Sequence, residues 1–323
     1  MGNMLQENST GADSGSSPGD DLKGGFKKPD LKAAMRLYIV VFILLLSLGS
    51  LAQTLHFEIG MIVTQVVLIL LPALWFLRRY RVDMVKFSRV GPLQVKFIPT
   101  IIFLAVAMWI FNMIIAAGMV TGLMELGYEP IAVLEPPQTF QEYLILVLVL
   151  SVFAGICEEV LFRGAIMPSM EGHGLVPAIV FSSLLFALFH ITFLNLFSTF
   201  ILGMVMAVVV IKTGSLWGGV LYHMTNNFIA ATYLYIAGQQ EAATEIDPRG
   251  LLVVLPLFLM ALAGSYFGLR LLHNQSKVEP LLKNRRNWLP KGWFSVAFVA
   301  AVILFLIMAM LEFAIGFNWI DLN

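Results

Sequence analysis

Nine runs of apolar residues, each long enough to cross about 30 Å of hydrocarbon, constrain this chain more than any other feature. They fall near 37–55, 59–77, 97–123, 141–167, 176–192, 194–212, 216–237, 250–272 and 293–316. The fifth and sixth runs meet so tightly, around Ile191 to Leu194, that their boundary is the least defined. Composition points the same way, with 59% of residues hydrophobic and 12% charged, where soluble domains carry roughly 25% charged residues. The chain therefore reads as all-α, a polytopic transmembrane helical bundle of about nine spans, with no internal repeat.

Lys and Arg mark the loops that stay in the cytoplasm. They crowd three places: Lys23, Lys27, Lys28, Lys32 and Arg36 before or within the first span, Arg78 to Lys96 after the second, and Lys277 to Lys291 after the eighth. The segment "MELGYEPIAVLEPPQTFQE" has no basic residue and "QQEAATEIDPRG" has one. Nine crossings satisfy every sign, giving a cytoplasmic N-terminus and an outside C-terminus in a multi-pass protein expected in the plasma membrane.

Four regions follow: a disordered cytoplasmic tail over 1–35, N-terminal helices over 36–139, a helical core over 140–237 and C-terminal helices over 238–323. The tail is rich in Gly, Ser and Asp, too polar to bury a core and too long and acidic to be a signal-peptide n-region. Gln6 stands where a myristoylation signal wants Ser or Thr. Zero formal charge and the lack of a basic stripe outside the loops exclude nucleic acid as a partner, leaving lipids and membrane-tethered proteins. A single cysteine, Cys157, excludes an intrachain disulfide and a thiolate metal cage.

Against this background "CEEVLFRG", residues 157–164, is out of place. An ionisable residue at the centre of a membrane helix costs roughly 2.5–3.5 kcal/mol on insertion scales, so such a cluster needs partners or a purpose. Glu159 and Arg163 stand one turn apart in the favourable order for an ion pair. Glu158 points about 100° away and lacks that partner. If Arg163 reached the interface and both acids merely neutralised it, one carboxylate would be explained and the other not. Elsewhere, "SSLLFALFHIT" carries His190 one turn after Phe186, and "GSLWGGVLYHMTNN" places His223 and Asn227 on one face. Polar side chains in a membrane bundle converge on its interior, which makes a common site the working expectation. Gly214 is suited to end the sixth helix, Ser215 to cap the seventh, and Lys212 to complement the preceding C-terminus.

Glu, two His and Asn equip a hydrolase without a covalent intermediate. A carboxylate in a low-dielectric pocket can take a proton from water, and histidine and amide N–H groups can hold the resulting oxyanion. Glu158, His190 and His223 could instead ligate zinc, although the single-helix HExxH arrangement is absent. The asparagine favours the account with no metal cofactor, since amides are poor zinc ligands. Cys157 as nucleophile is the weakest version, because a buried lone cysteine usually acts as a small hydrophobe.

Glu158-Glu159-x-x-x-Arg163, Phe186-x-x-x-His190 and His223-x-x-x-Asn227, in this order on separate helices, resemble the three motifs of the CAAX prenyl protease and bacteriocin-processing (CPBP) intramembrane proteases. "FRG" and "TGSLW" fit the same pattern, over about residues 140–235. The resemblance implies that Glu158 and His190 activate water, that His223 and Asn227 form the oxyanion hole, and that Glu159 and Arg163 give structural support. It implies an intramembrane endopeptidase acting on a membrane-tethered or lipidated protein, metal-free or metalloprotease-like. A non-catalytic immunity or interaction protein, or a proton-coupled transporter, could use the same cluster. The stretch after His190, "ITFLNLFSTF", departs from the pattern in lacking glycines.

Straight helices put Glu158 toward the cytoplasmic end of the fourth span and His190 toward the far end of the fifth. Tilt, or a fifth helix starting below the membrane plane, would bring them level. Asn112 and Asn195 read as interhelical hydrogen-bonders, and Glu312 as paired or interfacial. Asn226 is left outside the site, and His56, His173 and His273 carry no signal. Nine crossings predict that reporter fusions at Asn284 and Asn323 lie on opposite sides of the membrane; the same side for both would contradict this topology.

Overall fold

The computed structural model describes residues 28–131, 134–239, 250–278 and 294–320. Most of the tail expected to be disordered lies outside these residues, as do the segments 240–249 and 279–293. All the described secondary structure is helical. Each of the nine apolar runs contributes a helical rod: α1 Leu31–Leu55, α2 Phe57–Arg79, α3 Val95–Met124, α4 Phe140–His173, α5 Leu175–Phe189, α6 Phe193–Thr213, α7 Leu216–Gly238, α8 Gly250–Gln275 and α9 Val296–Gly316. Seven of these are long and apolar enough to cross a membrane. The other two are α5, which has 15 residues, and α7, which has 23 but carries Gly218, Gly219, His223, Asn226 and Asn227. The two rods that fall short as simple spans are thus the two that present the candidate histidines, His190 at the C-cap of α5 and His223 within α7.

Local chemistry sets the ends. Asp30 caps α1 by accepting from Ala33 N–H at 2.9 Å, so the first helix begins inside the expected tail. Thr139 accepts from Glu142 N–H at 3.2 Å to start α4, and Ser295 accepts from Phe298 N–H at 3.3 Å to start α9. Gly214 closes α6 in the left-handed region at φ 67°, a conformation open to glycine at little cost. Ser215 occupies the N-cap of α7, yet its side chain makes no cap bond; its hydroxyl donates to Gly91 O at 2.7 Å. The reason is a neighbouring loop that claims this whole turn. Arg89 O accepts from Leu216 N–H at 2.7 Å, Val90 O from Trp217 Nε1 at 3.2 Å, and Ser88 Oγ donates to Gly164 O at 2.8 Å. Arg89 adds a two-pronged ion pair to Glu171, both bonds 2.8 Å. The "GSLW" turn is therefore a docking element joining α4, α7 and the loop after α2.

Helix lengths change the expected depths. α4 continues as far as His173, and α5 is complete by Phe189. Glu158 lies fifteen residues before His173 and His190 fifteen after Leu175, each about 22 Å of helical rise from the turn that joins the two rods. Glu158 thus sits near the middle of α4, and His190, the residue that ends α5, is brought level with it. The mismatch inferred from straight, equal spans disappears because α4 runs on to His173, beyond the end of its apolar run.

Of the other polar residues in the spans, Glu312 accepts from Phe193 N–H at 2.6 Å, placing a carboxylate at the α6 N-terminus where the dipole favours it. The expectation of interhelical bonds at Asn112 and Asn195 is not met. Asn112 Oδ1 has no partner among the described residues, and Asn195 is exposed. Four stretches are wound with the wider π repeat: Leu45–Gly49, Thr64–Leu70, Val147–Phe153 and Val160–Ile166.

The buried Tyr38 joins α1 to α5 by donating to Leu185 O at 3.0 Å, while its ring meets Phe42, Phe162 and Phe189. Tyr38→Phe is expected to cost about 1 kcal/mol through the lost bond, and Tyr38→Ala about 3–5 kcal/mol through the cavity. Thermal unfolding in detergent measures both, and equal losses would deny the ring its packing role.

Candidate functional site

The fourth helix supplies two adjacent carboxylates in different settings. Glu159 and Arg163 are both fully buried, with 0% side-chain exposure. Arg163 Nη1 donates to Glu159 Oε1 at 2.8 Å and Nη2 to Gly203 O on α6 at 2.9 Å. The guanidinium also lies over the Phe186 ring, 4.5 Å from its centroid. Arg163 therefore does not reach for the interface; it is held by α4, α5 and α6 together.

Glu159 does more than balance that charge. The same Oε1 lies 3.3 Å from His223 Nδ1 on α7. An ionised carboxylate can only accept, so this contact places a proton on Nδ1 and turns Nε2 away from Glu159. Nε2 faces Glu158, 4.0 Å from its Oε2. Close approach of α7 depends on Gly219, one turn before His223: a Cβ there would stand 2.6 Å from both Glu159 Oε2 and Val210 Cγ2.

Glu158 is 7% exposed and is held by a residue that sequence reasoning missed. Gln65, itself 4% exposed on α2, donates from Nε2 to Glu158 Oε1 at 2.8 Å. Glu158 Oε2 and Gln65 Oε1 have no hydrogen-bond partner among the described residues. The carboxylate is thus anchored through one oxygen and open through the other, toward His223. A polar glutamine inside an apolar span was the available signal for Gln65.

His190 and Asn227 stand at one remove. The Nδ1 of His190 engages Phe186 O at 2.9 Å, and its ring packs edge-on against Phe186 at 4.7 Å between centroids. Phe186 in turn meets His223 at 5.8 Å, so one aromatic ring links both histidines and Arg163. Asn227 donates from Nδ2 to Leu150 O at 2.9 Å and accepts from Asn226 Nδ2 at 3.1 Å. The structure therefore brings Glu158, Glu159, Arg163 and His223 into direct contact or near it, joins His190 through Phe186, and ties Asn227 to the α4 backbone. Asn226, read as outside the site, is Asn227's immediate partner.

The alternative in which Glu158, His190 and His223 hold zinc fits this arrangement poorly. Among the described residues, no three His, Cys, Asp or Glu side chains gather at metal-holding spacing. One oxygen of Glu158 is already bound to an amide, and the nearest further carboxylate, Glu159, is neutralised by Arg163. The metalloprotease-like reading is not supported by the donor set.

Fold and cluster define a polytopic helical membrane protein with a buried carboxylate–histidine centre. Residues 140–229 match the sequence model of a family described as Rce1-like, the type II CAAX prenyl endopeptidase Rce1-like family. The match supports the CAAX protease and CPBP resemblance drawn from the motifs. It includes Glu158, Glu159, Arg163, His190, His223 and Asn227, while Gln65 lies outside it. No curated protein and no solved structure matches the chain.

The two carboxylates are expected to respond differently to neutralisation. Glu159→Gln strips a fully buried arginine of its counter-charge, a loss of about 3–5 kcal/mol. Glu158→Gln keeps an oxygen for the Gln65 amide and is expected to fold normally. Folded yield and thermal unfolding of the two variants test this, and equal destabilisation would contradict the asymmetry.

Proposed function

We propose that this protein is an intramembrane endopeptidase of the CAAX-protease type, hydrolysing a peptide bond of a membrane-tethered protein or peptide with a glutamate-activated water and no metal ion. The observation that carries the reading is the pairing of a free, buried Glu158 Oε2 with His223 Nε2 4.0 Å away. A water placed between them satisfies both groups and lies beside a base fixed through its other oxygen.

In this reading Glu158 takes a proton from the water while the water oxygen attacks the scissile carbonyl carbon. The carbonyl π electrons move to oxygen, and the oxyanion is held by N–H groups of His223 and Asn227. The oxyanion lone pair then re-forms the C=O bond, the C–N bonding pair leaves on nitrogen, and the departing amine takes the proton from Glu158. His190 orients the water from the end of α5. Glu159 accepts from His223 Nδ1–H and so aims Nε2 at the water and the oxyanion; to donate there, His223 carries a proton on both ring nitrogens and keeps both through the step. For Asn227 to donate, its second amide N–H must serve, since the first is given to Leu150 O. The basic loops support an orientation with the N-terminus in the cytoplasm.

Cleavage of a panel of membrane-tethered peptides by the purified chain tests the proposal. Glu158→Gln is expected to lower kcat by about 10²–10⁴ while the protein remains folded. Gln65→Leu is expected to lower kcat by about tenfold or more, the equivalent of a hydrogen bond to a charged group. Activity should survive prolonged chelation. Unchanged cleavage in Glu158→Gln, or activity lost on chelation and restored by zinc, would overturn the mechanism.

A further inference from the structure

A second site stands apart from the carboxylate cluster, in the groove between α1 and α2. The two helices run antiparallel and leave a cavity of about 350 Å³ between them near the basic end of the bundle. Its walls come from positions at helical spacing: Leu37 and Val40 on α1, and Pro72, Trp75 and Phe76 on α2. Trp75 is 67% exposed in the protein alone. Arg36, one residue before Leu37, and Arg79, one turn beyond Trp75, also line the groove. Both arginines are exposed, and neither has a carboxylate partner among the described residues. The nearest acid on α1, Asp30, is engaged in capping Ala33.

An apolar slot bordered by two unpaired cations matches a ligand with an apolar tail and an anionic head. We propose that this groove binds an anionic phospholipid, one acyl chain lying along Val40, Pro72 and Trp75 and the phosphate between Arg36 and Arg79. Charge complementarity selects this occupant. A zwitterionic lipid would bring a cation beside the two guanidinium groups, and a free phosphate would leave the apolar walls unused. Indole rings favour the membrane interface, where the ring meets acyl chain and its N–H meets the polar layer. The site sits on the two N-terminal helices, outside the region matched to the protease family, and owes nothing to the proposed hydrolysis.

The test uses the full chain in phosphatidylcholine vesicles in which brominated phosphatidylglycerol or brominated phosphatidylcholine is titrated over the same range of mole fractions. Trp75 emission is taken as the difference between the native protein and Trp75→Phe. Bromine on the anionic lipid is expected to quench Trp75 at several-fold lower mole fraction, since each basic residue near the surface is worth about fivefold in preference. Arg36→Gln with Arg79→Gln should abolish that preference. Lys32→Gln with Arg78→Gln removes the same two charges from the same ends of the two helices but outside the groove, and should preserve it. Equal quenching by both lipids in the native protein would overturn the proposal. So would a loss of preference in the Lys32→Gln, Arg78→Gln variant matching that in the groove variant, because diffuse surface charge would then suffice.

Discussion

The buried pair of Glu159 and Arg163 organises this molecule. Two charges removed from solvent, each with no side-chain exposure, are tolerable only when they are paired and hydrogen-bonded to their surroundings. Those bonds dictate which helices must be neighbours. Arg163 requires the Gly203 carbonyl of α6 and rests on Phe186 of α5; Glu159 requires the His223 ring of α7. Well-packed apolar residues often stabilise such a position as well or better, so its worth here lies in what it positions. It sets the tautomer and direction of a histidine aimed at Glu158.

Around that constraint, helix length does the alignment. α4 has 34 residues, far more than a simple span needs, whereas α5 has 15. A short helix rising from the turn after His173 stops beside the middle of α4 and delivers His190 to the level of Glu158. The α5–α6 turn is then received by Glu312, whose carboxylate meets the Phe193 N–H. Two π-wound stretches, Val147–Phe153 and Val160–Ile166, bracket the carboxylates on α4, a winding often found where a helix must re-aim functional side chains.

The site also extends beyond the helices that carry its motifs. Gln65 comes from α2, and the loop that follows α2 grips Gly164, Glu171 and the start of α7. The N-terminal helices are thus part of the centre's support. Their outer face, bearing the Arg36–Arg79 groove, places the same two helices between the buried centre and the surrounding lipid.

Much of this was legible in the chain itself. Long apolar runs reveal membrane helices because a helix satisfies all its backbone groups within one segment, and each of the nine runs contributes a rod. Charged and polar residues inside such runs stand out for the same energetic reason, which is why Glu158, Glu159, Arg163, His190, His223 and Asn227 could be named together. The i,i+4 spacing of Glu159 and Arg163 specified their pairing, since helix geometry alone brings such residues together. Gly214 was readable as a helix end because left-handed backbone selects glycine. What the sequence did not determine were relations between helices. The contact of Glu159 with His223, the grip of Gln65 on Glu158, the diversion of Ser215 to Gly91 and the bond from Asn227 to Leu150 all join residues far apart along the chain. The stopping point of α5 belongs with these, because the apolar run continues past Phe189 and only packing fixes the turn at His190. Local periodicity carries no information about which faces will meet; that was decided when charges that could not remain alone in the bundle found their partners.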